Sequence, residues 1–318
     1  MDILKQIGNE GLIPVTVIEN ADDAVNTAKA LMDGGLDVME ITLRTEAGIS
    51  AIRNVARAYP KMLVGAGTVL SLDKAKESVD AGARFLVSPG FNDEIVGWCV
   101  KNDIPITPGC VTPTEIEHAI SFGLNVLKFF PANVYGGLDG MSALHGPFQK
   151  VSFIPTGGIS EANLADYTEK PFVHAIGGGF LTKPVDIKNG RFESITKTAA
   201  ASIMLLLGFK LAHLGINCPH ASESESVGKM FERAFGFRFT TGSSSDFAGS
   251  EIEIMKGKGL GAMGHIAIHT NNISRAIYHL AKRGFEVDPA TAKEKNGKMI
   301  AVYLKGEYNN FAIHLLQK

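Results

Sequence analysis

The chain has 318 residues, of which 45% are hydrophobic and 20% charged, and its formal net charge is -2. This composition is typical of a globular protein with room for one large domain and a smaller one. The near-neutral charge argues against nucleic acid or an anionic membrane as a partner. Three cysteines without metal-binding spacing fit a reducing compartment, and the polar start does not look like a signal peptide, so we expect a cytoplasmic protein.

Strand patterns alternate with amphipathic helix patterns over residues 1–208. The predicted strands begin at Gly11, Val38, Met62, Phe85, Pro105, Val126, Ser152 and Val173. Helix patterns follow them, several beginning at a capping residue and ending at glycine. Eight strand–helix units predict an α/β fold, a parallel (β/α)8 TIM barrel, with a doubly wound open sheet as the alternative.

Lys128 lies inside VLKFFPA, an apolar run with the length and composition of a buried strand. Burial disfavours the charged form of a lysine, and a neutral lysine amine is a nucleophile that can form a Schiff base with a carbonyl compound. The alternative is a lysine at the end of a strand whose ammonium group reaches solvent. Position along the chain does not decide between these two interpretations.

Polar residues collect where the predicted strands end. Glu40 and Arg44 share one face of the second strand, Thr68 ends the third, and Thr156 ends the seventh. Active sites of TIM barrels lie at these carboxyl ends. An internal ion pair with Lys128 is the structural alternative. We favour a catalytic role because charged groups gathered at a barrel mouth are commonly functional.

The turns after strands seven and eight are rich in glycine, in the segments PTGGIS and IGGGFL. Glycine allows backbone N–H groups to approach an anion closely, and these two loops of a TIM barrel often hold phosphate. The candidates are Gly157, Gly158, Gly177, Gly178 and Gly179. Tight turns without a ligand are the alternative. Two such turns in these two places favour a phosphate site.

Six segments in chain order carry a resemblance to a known family: MEITLRTEA, GAGTVL, SPG, KFFPA, GPF and PTGGIS. Over roughly its first two thirds, the chain resembles the class I aldolases that cleave 2-keto-3-deoxy-6-phosphogluconate and often 4-hydroxy-2-oxoglutarate. The resemblance implies that Lys128 forms the Schiff base and that Glu40 is the general acid and base. It also implies that Arg44 and Thr68 hold the keto-acid carboxylate and that Pro89 lines the pocket.

The same resemblance bears on the substrate, a phosphorylated 2-keto acid. Thr156 would contact the substrate hydroxyls, and it favours the gluconate epimer because the related 2-dehydro-3-deoxy-6-phosphogalactonate aldolases tend to carry an apolar residue there. The galactonate epimer is the alternative. Family members commonly end the turn after strand eight with serine, where this chain has Gly179, so one hydroxyl is lost. The aldolase is expected to need no cofactor and to form a homotrimer. A keto-acid sensor without turnover is the rival from another class.

Residues 209–318 contain an internal repeat. Its openings, HLGIN and HIAIH, place His213 and His265 equivalently, and its last strands, SEIEIMK and NFAIHLL, do the same for Glu253 and His314. Repeated units of this kind share one core. This part resembles the vicinal oxygen chelate superfamily, which includes glyoxalase I and pairs βαβββ modules into a cupped sheet. The resemblance implies a smaller α+β domain.

A metal site follows from that second resemblance. Glyoxalase I takes its metal ligands from the first and last strands of each module, as His, Glu, His and Glu. The matching residues here are His213, Glu253, His265 and His314, so the fourth ligand is histidine. Such nitrogen and oxygen ligands suit Zn, Ni, Fe or Mn. The alternatives are surface residues without chemistry, or a cup that binds a small molecule without metal.

Overall fold

The computed structural model describes residues 2–318. The chain divides into two compact units, the first ending at Leu206 and the second spanning Leu207–Lys318. This division lies two residues before the predicted boundary at 208. Within the described residues, no helix combines the length and the apolar character needed to cross a membrane.

Eight short parallel strands form the centre of the first unit. They are β1 (Leu12–Thr16), β2 (Val38–Thr42), β3 (Leu63–Gly67), β4 (Leu86–Ser88), β5 (Ile106–Pro108), β6 (Val126–Phe129), β7 (Ser152–Pro155) and β8 (Ile176–Gly178). Six of them pair in the order β5-β4-β3-β2-β1-β8, and β6 pairs with β7. Single bridges join Gly109 to Lys128 and Thr156 to Gly177. The parallel sheet therefore curls round until every strand has a neighbour on each side, which an open sheet does not do.

Helices connect and surround these strands. They are α1 (Ile3–Glu10), α2 (Asp23–Asp33), α3 (Gly48–Ala58), α4 (Leu72–Asp80), α5 (Asp93–Lys101), α6 (Pro113–Ser121), α7 (Gly137–His145), α8 (Leu164–Thr168), α9 (Pro184–Lys188) and α10 (Phe192–Leu207). Local sequence explains their starts: α6 begins with a capping box between Thr112 and Glu115. Every residue of β1, β2 and β3 is buried. Strands covered on both faces leave their carboxyl ends as the open place for polar side chains.

The second unit is one sheet of eight strands with two helices. Its strands are β9 (Lys210–Asn217), β10 (Phe239–Thr241), β11 (Ser245–Ala248), β12 (Ile252–Met255), β13 (Gly264–Thr270), β14 (Lys293–Lys295), β15 (Lys298–Tyr308) and β16 (Phe311–Gln317), and its helices are α11 (Ala221–Phe235) and α12 (Ile273–Lys282). The strand order is β10-β11-β12-β9-β13-β16-β15-β14. The two halves meet where β9 pairs antiparallel with β13.

The strand register repeats between the two halves. Glu253 on β12 pairs with Gly215, two residues beyond His213. His314 on β16 pairs with Ala267, two residues beyond His265. The internal repeat in the sequence therefore corresponds to equivalent places in the sheet.

Candidate active site and histidine centre

A buried lysine–glutamate pair lies where β6 and β2 approach each other inside the first unit. The Nζ atom of Lys128 is 3.7 Å from Oε1 of Glu40, and their side chains are 6% and 3% exposed. The alternative of a lysine that reaches solvent is therefore wrong. The distance is too long for a good hydrogen bond. Within residues 2–318, Glu40 Oε1 has no hydrogen-bond partner, so this oxygen can accept a proton from a substrate or a water.

Glycine and strain shape the carboxyl end of β3 beside this pair. A Cβ atom on Gly67 would overlap Oε1 of Glu40, so the glycine makes room for the carboxylate. The next residue, Thr68, has a φ of 58°. A β-branched residue rarely adopts this left-handed conformation, and such strain clusters at functional sites. Thr68 is thus held in a costly conformation, and it directly follows Gly67, the residue that makes room for Glu40.

A cavity of about 460 Å³ lies at the carboxyl ends of the strands in this unit. Of the predicted site residues, its lining includes Arg44, Thr156, Gly157, Gly158, Gly177 and Gly179. Phe130 also lines it, and the Lys128 Nζ atom is 5.0 Å from the centre of that ring. Phe130 follows Lys128 by two residues, and the two-residue period of a strand predicts that both lie on the same face.

Five predicted residues are not among those that line the cavity: Glu40, Thr68, Pro89, Lys128 and Gly178. Gly178 is buried in β8, where it pairs with Pro14. Pro89 follows β4, and a Cβ atom on Gly109 would overlap its carbonyl oxygen. The turn carrying Pro89 is therefore packed tightly against the end of β5.

A lysine amine and a carboxylate, buried together at the carboxyl end of a curled parallel sheet, define an enzyme site suited to Schiff-base chemistry. The model for the KDPG and KHG aldolase family matches residues 3–198, and the chain belongs to that family. The protein is accordingly a class I aldolase, a lyase.

Individual relatives agree with this assignment. A 2-dehydro-3-deoxy-phosphogluconate aldolase of Treponema pallidum is 43% identical over 195 residues, which are 61% of this chain and 93% of the relative. A KHG/KDPG aldolase of Escherichia coli K12 is 41% identical over 192 residues, 60% of this chain and 90% of that one. The crystal structure of the KDPG aldolase of Legionella pneumophila, with pyruvate captured as a covalent carbinolamine, has a TM-score of 0.62 at 37% identity. It covers 64% of this chain and 98% of its own.

In the second unit, four side chains from β9, β12, β13 and β16 converge. The Nε2 atoms of His213 and His265 each lie 3.1 Å from Oε2 of Glu253 and 3.1 Å from each other. A ring nitrogen of His314 lies within 4.8 Å of nitrogens of the other two histidines. The three histidines thus form one group of neighbouring ligand atoms, and Glu253 contacts two of them, His213 and His265.

Neighbouring residues hold this histidine centre in place. Gly215 pairs with His265 across the sheet, and a Cβ atom there would overlap the imidazole ring. The hydroxyl of Ser245 donates to Oε1 of Glu253 at 2.6 Å. The Tyr303 ring stacks on His314, with 4.7 Å between ring centres. Glycine within a strand is a sequence signal for such close approach, but Ser245 and Tyr303 carry no signal of their own.

Charge and burial set the protonation of this centre. Burial alone would raise the pKa of Glu253, but hydrogen bonds from His213, His265 and Ser245 outweigh it and hold the pKa well below the usual range. Burial, together with repulsion from the other two histidines, lowers the pKa of His314 to about 4. Near neutral pH the centre is therefore an ionised carboxylate facing a neutral His314.

Proposed function

We propose that the first unit cleaves 2-keto-3-deoxy-6-phosphogluconate, and also 4-hydroxy-2-oxoglutarate, through a Schiff base on Lys128. The observation that carries the proposal is the buried pair of Lys128 and Glu40, 3.7 Å apart, whose lysine lies 5.0 Å from the ring of Phe130, a residue that lines the cavity. The neutral amine attacks C2 of the keto acid, and loss of water gives an iminium. The iminium takes up the electron pair when C3–C4 breaks, so the products are pyruvate and either glyceraldehyde 3-phosphate or glyoxylate.

Glu40 supplies the proton transfers of this reaction. Its Oε1 atom has no hydrogen-bond partner within the described chain, so it is available to take the C4 hydroxyl proton, directly or through a water. The same group returns the proton to the enamine that remains after cleavage, and water then hydrolyses the resulting iminium, which releases pyruvate and restores the Lys128 amine. A carboxylate that made a short hydrogen bond to Lys128 would be a poorer base.

The other side chains of the site bind and orient the substrate. Arg44 lines the cavity and presents a planar guanidinium that matches a carboxylate. Thr68, which follows β3 and has a φ of 58°, is the second residue that would hold this carboxylate. Thr156 lines the same cavity, and its hydroxyl is suited to the hydroxyls of a sugar acid. That residue favours the gluconate epimer over the galactonate epimer.

Borohydride trapping with pyruvate tests the Schiff base. We expect a pyruvyl adduct on Lys128, located by peptide mass, and no adduct in a Lys128→Ala variant. Lys150→Ala, which removes an exposed lysine of the same unit, is the matched control and should be trapped like the native chain. A native chain that forms no adduct and cleaves neither substrate would instead be the keto-acid sensor.

For the second unit we propose a divalent metal site formed by His213, Glu253, His265 and His314. The three atoms that lie 3.1 Å from one another carry the argument. An ionised carboxylate only accepts hydrogen bonds, so both histidines must donate to it, and their two N–H groups then face each other. No choice of tautomers satisfies all three pairs. A cation bound to the three lone pairs does.

Distances and burial fit the same proposal. Ligands about 2.1 Å from a metal and about 90–110° apart are separated by roughly 3.0–3.4 Å, close to the observed spacing. Within residues 2–318, neither ring nitrogen of His314 has a hydrogen-bond partner, although both are buried. A buried imidazole without a partner is costly unless something binds it. Zn, Ni, Fe and Mn suit these ligands, and such an ion would polarise a bound oxygen atom.

Metal content tests this second proposal. We expect about one divalent metal per untagged chain, measured by elemental analysis, and its loss in a His213→Ala/His265→Ala variant. His220 is exposed, and within the described chain its side chain forms a hydrogen bond only with Ser222. A His220→Ala variant should therefore keep the metal. A native chain that stays metal-free after incubation with Zn, Ni, Mn and Fe would leave this unit as a ligand-binding or packing module of glyoxalase-like form.

A further inference from the structure

Four glycines line the cavity of the first unit, and three of them are required by the fold. Gly157 and Gly158 have φ values of 95° and 78°, which side chains rarely adopt. Gly177 has an ordinary φ, but a Cβ atom there would overlap the Thr156 hydroxyl. Each of these positions would be glycine whatever the cavity binds.

Gly179 is different. Its φ lies outside the left-handed region, and an ideal Cβ atom would meet, among residues 2–318, only the carbonyl oxygen of Val15, at an ordinary 3.7 Å. The residue is exposed, lines the cavity, and begins the short 3-10 turn Gly179–Thr182. Backbone and packing therefore permit a side chain here, so the fold does not require glycine at this position.

The charges that line the cavity are few. Among the described residues that line it, Arg44 is the only one with an ionisable side chain. The keto-acid carboxylate would use that guanidinium. The part of the cavity built by Gly157, Gly158 and Gly179 then offers backbone N–H groups but neither a cation nor, at Gly179, a hydroxyl.

We propose that Gly179 is a specificity-determining residue that turns this chain toward aldols without a terminal phosphate, such as the short dicarboxylate 4-hydroxy-2-oxoglutarate. A phosphate carries nearly two negative charges and three acceptor oxygens, so it loses more from a missing donor than a smaller terminal group does. This inference rests on the proposed Schiff-base cleavage and ranks its two substrates.

Steady-state cleavage of both aldols by four proteins tests the ranking: the native chain, Gly179→Ser, Gly179→Ala and Gly97→Ser. A hydrogen bond to a charged group is worth enough to change kcat/KM about tenfold. We expect Gly179→Ser to raise the ratio of kcat/KM for 2-keto-3-deoxy-6-phosphogluconate to kcat/KM for the dicarboxylate by about that factor. Gly179→Ala, which adds volume without a hydroxyl, should give no gain.

Gly97→Ser is the matched control, because Gly97 in α5 has the same 3.7 Å clearance at Cβ and is remote from the cavity lining. It should behave like the native chain. The native chain should cleave the dicarboxylate at least as efficiently as the phosphorylated aldol, and inorganic phosphate should inhibit Gly179→Ser more strongly. A native preference for the phosphorylated aldol of more than about tenfold, or no gain in Gly179→Ser, would overturn the ranking.

Failure of the underlying reaction has a different signature. If the native chain cleaves neither aldol and pyruvate leaves no borohydride-trapped adduct on Lys128, the Schiff-base proposal fails, and the ranking fails with it. If the adduct forms and cleavage proceeds but the ratio of the two kcat/KM values is the same in Gly179→Ser, only the inference about Gly179 is overturned.

Discussion

The two units each bury charged side chains, but they balance those charges in opposite ways. In the first unit one lysine is paired with one glutamate, Lys128 with Glu40, and the 3.7 Å between them leaves a carboxylate oxygen without a hydrogen bond among residues 2–318. In the second unit one carboxylate, Glu253, contacts two of three clustered histidines, and no placement of protons satisfies the atoms that meet at 3.1 Å. A self-sufficient pair suits covalent chemistry with a substrate. In the proposal for the second unit, a bound cation offsets this imbalance.

The two sites share one structural device, a glycine opposite the functional side chain. Gly67 makes room for Glu40, and Gly215 makes room for His265. In each case a glycine on the neighbouring strand, because it has no side chain, leaves space for the polar side chain to lie against that strand. The two sites therefore differ in the balance of charge among their side chains and not in this local packing.

Removing the lysine should have the largest effect. A Lys128→Met variant keeps an apolar chain of similar length but has no amine, so we expect cleavage of both aldols to fall by about 10⁴-fold or more, measured by pyruvate release. Glu40 is then a buried charge without its partner, which should lower the free energy of unfolding by about 3–5 kcal/mol.

A double variant, Lys128→Met/Glu40→Gln, separates these two consequences. It should recover much of the stability in urea unfolding and none of the activity. If it stays as unstable as the single variant, the ion pair is not what the lysine contributes to the fold.

The next largest effect on activity should come from removing only the carboxylate of Glu40. Glu40→Gln keeps the shape of the side chain but cannot accept the hydroxyl proton, so cleavage should fall by about 10²–10⁴-fold. Lys128 remains, so borohydride should still trap pyruvate. This split between trapping and turnover, measured on the same preparation, would identify Glu40 as the proton carrier; loss of both would mean that it mainly positions the lysine.

Much of the first site could be predicted from sequence because its charged residues interrupt buried strands. Lys128 and Glu40 each stand in a run whose other members are apolar, and a TIM barrel brings strand ends together. The 5.0 Å approach of Phe130 to the lysine and the fit of Gly67 against Glu40 depend on side-chain packing and strand register. Spacing along one strand contains neither.

The second site shows the limit more clearly. The repeat predicts four residues because it relates His213 to His265 and Glu253 to His314. Two strands escaped the same analysis: β11 lies in the polar run SSSDFAG, and β14 is the charged, exposed edge segment KEK. Ser245 belongs to the first of these, so its bond to Glu253 could not be foreseen.

Expressed as a free energy, the gain in stability on metal saturation should be smaller than the loss of activity in Lys128→Met. If a metal binds only the folded second unit, a concentration about 1,000 times the dissociation constant raises its free energy of unfolding by about 4 kcal/mol. Thermal unfolding with and without a chelator should show this shift in the native chain and not in His265→Ala. A chelator that leaves the transition unmoved would make the two sites alike in needing no cation.

The smallest of the expected effects is the loss of stability of the metal-free chain in acid. Burial and the two neighbouring histidines lower the pKa of His314 to about 4, below the ordinary value of about 6.5 in an unfolded chain. The unfolded state therefore takes up the proton first. This group therefore leaves the free energy of unfolding unchanged above about pH 6.5 and lowers it by ~3 kcal/mol in all as the pH falls to about 4.

A His314→Gln variant cannot take up that proton, so its unfolding midpoint in urea should vary less between pH 7 and pH 4 than that of the native metal-free chain. The difference between the two proteins isolates His314 from every carboxylate that titrates in the same window. Equal pH dependence in both would mean that His314 takes up its proton equally readily in the folded and unfolded states, so that neither burial nor the neighbouring histidines lower its pKa.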